Sequence, residues 1–269
     1  MSKTHRQAGQ AVAIDRRKVL VALSLLGIPT YGGCEMKLVG ETARGYFGAT
    51  PEAELAKAAA EGRIELVKRL VAQGAKVNAT GKQNMTPLVW ALTARNAEGM
   101  RALLEAGADP NQRVGPEREY HPVWLAAGQK SPEQLAVLLA FKGDPNAPHK
   151  GADYVPLMRA NTNLTNVKLL VESGADINAT NSIGGAMVQS SANLVQYDIV
   201  MYALDHGFNQ NLPLLAWEIN DRRPDGRAPL PPEMEPKRLQ VMERLRAMGV
   251  SAPPGPAPRL RPPTPGASQ

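Results

Sequence analysis

Apolar residues in this chain come in short bursts at the three-and-four spacing of a helix face: "IELVKRLV", "GMRALLE", "EQLAVLLA", "NVKLLVE" and "DIVMYALD". Each stretch is short and one-sided, so each predicts an amphipathic helix that needs a neighbour to cover its apolar stripe. A related loop follows each of the first four: "VAQGAKVNAT", "LEAGADPNQR", "LAFKGDPNAP" and "VESGADINAT". Their asparagines, Asn78, Asn111, Asn146 and Asn178, lie 33, 35 and 32 residues apart. A weaker fifth loop, "LDHGFNQNLP", places Gly207 at 33 residues after Gly174. A period of this length predicts a stack of helical units rather than one central core.

Repeat two is the fullest: "GKQNMTPLVWALTARNAEGMRALLEAGADPNQR". Thr86 is placed to cap a helix whose first turn tolerates Pro87. Leu88, Ala91 and Leu92 form one buried stripe, and Met100, Leu103 and Leu104 the facing one. Gly107 ends the second helix, because glycine adopts the left-handed conformation without a Cβ penalty. Thr86-Pro87-Leu88 and Gly107-Ala108-Asp109-Pro110-Asn111 resemble the ankyrin repeat. The resemblance implies an all-α ankyrin-repeat solenoid of about five repeats plus a C-terminal capping helix pair. The other copies depart from the pattern. Repeat one puts Ala53-Glu54 at the Thr-Pro position expected from the period; repeat three has His121-Pro122-Val123 and Lys142-Gly143. The loop "VGPEREYH" before His121 carries a two-residue insertion. Repeat four has Val155-Pro156-Leu157 and a short first helix, and repeat five keeps Met187 alone.

After the repeats, "LPLLAWEI" and "EPKRLQVMERLRAMGV" predict a last helix pair, with Leu239, Val241, Met242, Leu245 and Met248 on its inner side. The expected organisation is an export signal over residues 1–33, a tether over 34–50 and repeats over 51–222. A Pro-rich loop and capping helix follow over 223–250, and 251–269 is too poor in apolar residues to fold.

The chain starts differently. "DRRKVLVALSLLGI" is a basic cluster followed by ten apolar or small residues, Val19 to Ile28. That run spans about 15 Å as a helix, half the roughly 30 Å of a bilayer core, which fits an export signal and not a membrane span. Arg16-Arg17-Lys18-Val19-Leu20 resembles a twin-arginine signal, and Tyr31-Gly32-Gly33-Cys34 resembles a bacterial lipobox. The second resemblance implies acylation of Cys34 and attachment to a membrane on the periplasmic side, the following Glu35 favouring the outer membrane. Removal by cleavage near Gly33, leaving a soluble periplasmic protein, is the alternative.

Charge adds little. The chain is +6 overall, but residues 1–33 hold five basic residues against Asp15, so the remainder is +2. That balance gives no case for nucleic-acid binding. One cysteine and four scattered histidines offer no metal-ligand spacing, and "GYFG" and "SIGG" lack the residues of a phosphate loop. His121 reads as a helix-start hydrogen bonder and Ser190-Ser191 as solvent-facing. No catalytic residue, metal, cofactor or small-molecule substrate is expected, and the chain does not read as an enzyme.

What remains is surface. By resemblance to ankyrin repeats, the residues before each Thr-Pro-Leu equivalent and at the end of each first helix line a protein-binding groove. These are Lys82, Gln83, Met85, Thr93 and Ala94 in repeat two, and Glu117, Arg118, Tyr120, Trp124 and Gln129 in repeat three. Repeat four adds His149, Lys150, Asp153 and Asn161. Arg118 and Tyr120 are the leading anchors, being residue types that carry interfaces. Trp90 and Trp217 read as packing. The whole resembles small exported bacterial ankyrin proteins, some of which are immunity proteins against type VI lipase toxins. Two functions follow as expectations: neutralising a periplasm-targeted toxin, or acting as an envelope scaffold or protective factor for another protein.

Overall fold

The computed structural model describes residues 42–149, 154–220 and 230–252. The expected signal, Cys34 and the tail from residue 253 lie outside the described residues. The described chain is helical. A short helix α1 (Ala43–Phe47) precedes five antiparallel pairs. The pairs are α2 (Pro51–Ala60) with α3 (Ile64–Ala72), α4 (Pro87–Thr93) with α5 (Ala97–Glu105), and α6 (Pro122–Ala127) with α7 (Glu133–Ala140). Then come α8 (Pro156–Arg159) with α9 (Leu164–Glu172) and α10 (Met187–Asn193) with α11 (Tyr197–Asp205). A final pair, α12 (Leu212–Asn220) and α13 (Glu235–Ala247), closes the stack. Each helix packs on its own partner and on the adjacent repeats, as a linear array requires.

Local chemistry explains the helix starts. Thr50 Oγ1 accepts from Ala53 N at 3.3 Å, and Thr86 Oγ1 accepts from Val89 N at 3.1 Å. In repeat three His121 replaces the threonine, and its Nδ1 accepts from Val123 N at 3.3 Å. In repeat five, where Ala186 has no capping oxygen, Gln189 Oε1 reaches back to accept from Ala186 N at 3.1 Å. Each device satisfies a donor that the first turn of a helix leaves without a partner.

An asparagine ladder joins the loops. Asn78 donates to Gly107 O (2.9 Å) and accepts from Asp109 N (2.8 Å). Asn111 does the same to Lys142 O and Asp144 N, Asn146 to Gly174 O and Asp176 N, and Asn178 to Gly207 O and Asn209 N. Each side-chain amide is thus a two-ended peg between adjacent repeats, and the period of the asparagines is the period of the stack.

Four sequence expectations change. The helix pair of repeat one starts with Thr50-Pro51 and not at Ala53-Glu54. Its first helix has 10 residues against 7 in α4, so the Thr-Pro lies upstream of where the period puts it. The expected tether over 34–50 contains α1, whose Ala43, Tyr46 and Phe47 are buried. Ser191 is fully buried, and its hydroxyl donates to Asn161 O at 2.9 Å. Leu239 is 50% exposed: the buried stripe of α13 runs through Val241, Met242 and Leu245, and Leu239 falls off it on the outer side of the last helix.

Candidate protein-binding surface

The groove is built from the loop tips between repeats and the outward sides of the first helices. At its start the chain covers itself. Trp90, in α4, is overlaid by Tyr46 (centroids 5.4 Å apart) and Phe47 (6.4 Å) of α1. Gly81 lies so close beneath α1 that an added Cβ would come within 2.6 Å of Tyr46 O. The first two repeats therefore present α1, and not their own first helices, along this edge.

The loop tips are tied together. Gln83 and Asn84 hold positive φ values of 55° and 54°, which turns their backbone toward the next tip. Gly115 N donates to Gln83 O at 2.7 Å, Asn84 Nδ2 to Gly115 O at 3.0 Å, and Arg118 Nε to Asn84 Oδ1 at 3.3 Å. Tip three is closed by a bridge between Val114 and Tyr120. Arg113 fastens it to the following loop by donating to Glu119 O (3.2 Å) and Pro148 O (2.8 Å).

The expected groove residues separate by burial. Lys82, Gln83, Glu117 and Arg118 are exposed on the tips. Ala94, Thr93, Gln129, His149 and Asn161 are half-buried, with the Thr93 hydroxyl donating to Trp90 O at 2.8 Å. Met85 (2%), Tyr120 (5%) and Trp124 (7%) are buried and are not exposed contact residues. Met85 packs into the core below its tip, and the two aromatics are covered by each other and by residues that follow. Lys150 and Asp153 lie outside the described residues.

Between repeats three and four the groove holds an aromatic cluster with a cation on it. Tyr120, Trp124 and His149 meet at centroid distances of 5.9, 5.0 and 4.7 Å. Arg159, the last residue of α8, lays its guanidinium over the Trp124 ring, its central carbon 4.1 Å from the centroid. Gly128, which follows α6, makes the room: a Cβ there would lie 2.5 Å from Arg159 Nε. Burial holds the Arg159 guanidinium below its ordinary pKa and pushes the Tyr120 hydroxyl above its own, the latter reinforced by Glu119. His121, directly behind the cluster, is lowered to about 4 by burial and by Arg113, so it is a neutral acceptor for its helix cap.

Sequence reading missed Arg159 and Gly128. The signal was faint but present: Arg159 stands three residues after Pro156, as Trp90 stands three after Pro87. The same face of the first helix that α1 covers in repeat two is thus a cation in repeat four. Among the described residues no group of three or more His, Cys, Asp or Glu is placed to hold a metal, and no helix is long and apolar enough to cross a membrane.

Residues 25–114 match the family model described as "Ankyrin repeats (3 copies)". The chain carries ankyrin repeats. With its helical pairs and no strand among the described residues, it is an ankyrin-repeat solenoid, an architecture that serves as a protein-binding module. Similar proteins include the putative ankyrin repeat protein YahD of Escherichia coli strain K12, 28% identical over 58% of this chain and 80% of YahD. A mitochondrial disaggregase of Bos taurus is 30% identical over 51% of this chain. An ankyrin repeat, SAM and basic leucine zipper domain-containing protein of Carollia perspicillata is 31% identical over 34%. This chain spans 20% of the length of each of those last two proteins.

Proposed function

We propose that this ankyrin stack is an exported, lipid-anchored immunity protein that binds and neutralises a toxin aimed at the periplasm. The observation that carries the binding half is the arginine-bearing surface of repeats three and four. There Arg118 stands exposed on a loop tip and Arg159 lies over Trp124, while α1 covers the start of the groove. Arg is among the side chains that dominate protein interfaces, and the buried Trp124 backs the guanidinium of Arg159. The anchoring half is supported by the basic-apolar start of the chain and by Gly32-Gly33-Cys34. Two acyl chains hold a protein on a membrane stably, where a single chain does so only marginally. A tether of this kind raises the effective concentration of an inhibitor where a lipase-like toxin meets its substrate.

The test is protection. Cells expressing a periplasm-directed lipase toxin encoded beside this gene should survive when the full chain is present, and the two proteins should co-purify. Arg118→Ala and Arg159→Gln should weaken both effects, and Cys34→Ser should weaken protection while leaving binding in solution intact. Capture of a resident periplasmic enzyme, without protection, replaces this reading with that of an envelope scaffold or protective factor. An intact mass showing unmodified Cys34 removes the anchor.

A further inference from the structure

We infer that Arg159 and the aromatic cluster beneath it form a receptor for a carboxylate presented by the partner protein, an Asp or Glu side chain or a C-terminus. The inference rests on the protein-binding reading and assigns the chemistry of its central contact.

A guanidinium stays charged in any protein environment, so a partly buried one needs compensation. Arg159 receives part of it from the face of Trp124. Among the described residues no carboxylate pairs with Arg159, and its buried Nε has no hydrogen-bond acceptor. Glu119, the acid whose field reaches the cluster through Tyr120, turns its carboxylate to Glu117 N, at 2.9 Å. Several other cations are held by oxygens: Arg44 of α1 by Glu54, Lys68 by Glu65, and Arg113 by two carbonyls.

The site is also shaped. Gly128 leaves the space the guanidinium fills, and Trp124 supports one face of it. A planar fork held flat in this way offers the paired donors that match a carboxylate in a bidentate geometry. In the repeat that supplies Trp124 and Gly128, Arg118 on the tip and Lys130 after α6 are exposed cations, with Glu117 the exposed acid. That balance favours an acidic segment over a basic one.

The experiment follows the side-chain signals of Arg159 Nε–H and Trp124 Nε1–H by NMR in the full chain. The probes are acetyl-Gly-Glu-Gly-amide, the matched Gln peptide and inorganic phosphate. The Glu peptide should shift both signals saturably, at least about tenfold more tightly than the Gln peptide, as expected for a charge-assisted pair. Arg159→Gln should abolish the Trp124 response. Arg159→Lys, which keeps the charge but not the fork, should weaken it and guards against misfolding of the first variant. Equal responses to Glu and Gln peptides, no response at peptide saturation, or a response that survives in both variants overturns the inference. Tighter binding of phosphate than of the Glu peptide overturns it as well, by showing a general anion site. A toxin captured equally by wild type and Arg159→Gln removes this contact and leaves the protein-binding reading standing.

Discussion

Repeats two and three answer one structural problem in opposite ways. The problem is the end of the first helix in the preceding repeat, where carbonyl oxygens have no intrahelical partner. In repeat two, Gly99 brings α5 so close to that end of α2 that a Cβ would lie 1.8 Å from Ala59 O. In repeat three the matching residue is Gln134, whose amide spans the gap and donates to Arg95 O at 3.0 Å. Repeat four repeats the second solution, with Asn166 donating to Ala127 O and Gln129 O. Close approach gives the regular half of the stack, and side-chain bridging gives the irregular half. The irregular half is also the half that carries the inserted loop, the neutral histidine cap and the cation over Trp124. Polar bridges tolerate displaced helices, and displaced helices leave room for a cluster between them.

The largest effect should break the regular side. Gly99→Ala must push α5 away from α2, with an expected loss of roughly 3 kcal/mol or more for overpacking against backbone. Urea unfolding that shows less than about 1 kcal/mol would mean that α5 and α2 are not in backbone contact at Gly99. The same substitution has no counterpart in repeat three, because Gln134 already occupies that place.

Next in size is the acid sensitivity of repeat three. His121 ionises at about 4 in the folded chain against an ordinary 6.5. As pH falls, the unfolded chain takes up the proton first, so stability is intact above about 6.5 and is lost progressively toward about 4. A shift of that size corresponds to at most about 3 kcal/mol. His121→Thr keeps a capping oxygen, as Thr86 has in repeat two, and should flatten the pH dependence of the unfolding midpoint. An unchanged pH profile would place the acid sensitivity elsewhere.

Breaking a bridge should cost less. Asn166→Leu removes two hydrogen bonds at a fully buried position, leaving Ala127 O without its side-chain donor and Gln129 O with Asn163 alone, for an expected loss of about 2 kcal/mol. Gln134→Leu, which removes one hydrogen bond, should cost about half as much. The pair ranked the other way by denaturant unfolding would contradict the assignment of partners.

The smallest effect should be a gain. Gly74, Gly107, Gly174 and Gly207 end their second helices with φ of 88° to 94°, whereas repeat three puts Lys142 there with φ of 65°. Lys142→Gly should stabilise by up to about 1 kcal/mol by relieving a left-handed residue with a side chain. The adjacent Gly143 should not be exchanged for the alanine found in repeats one, two and four. A Cβ there would lie 2.7 Å from Val123 Cγ2 and 2.8 Å from Leu138 O.

Much of this architecture was legible in the residues. The asparagine period, the Thr-Pro starts and the glycine stops each report a local requirement, because a cap or a left-handed turn is decided within a few residues. The displaced start of repeat one shows the limit of that reading. A fixed period located the Thr-Pro at residue 53, while the true pair sits at Thr50-Pro51 because α2 is longer than its siblings. The groove was less legible. Lys82, Gln83, Glu117 and Arg118 are exposed, as residues on loop tips are by construction. Met85, Tyr120 and Trp124 are buried, since whether a residue at a groove position faces solvent depends on what the next repeat lays over it.

By itself, then, the sequence determined that the chain is a stack of paired helices, where the pairs after the first begin and end, and which amides peg the pairs together. Those features are local and repeat with the period. Only the tertiary structure decided that α1 folds over Trp90 and that Arg159, contributed by a different repeat, lies over Trp124 in the space left by Gly128. Both are contacts between residues more than 30 positions apart, set by how far each repeat is displaced from the last. Periodicity reports that helices stack; it carries no information on the offset between them.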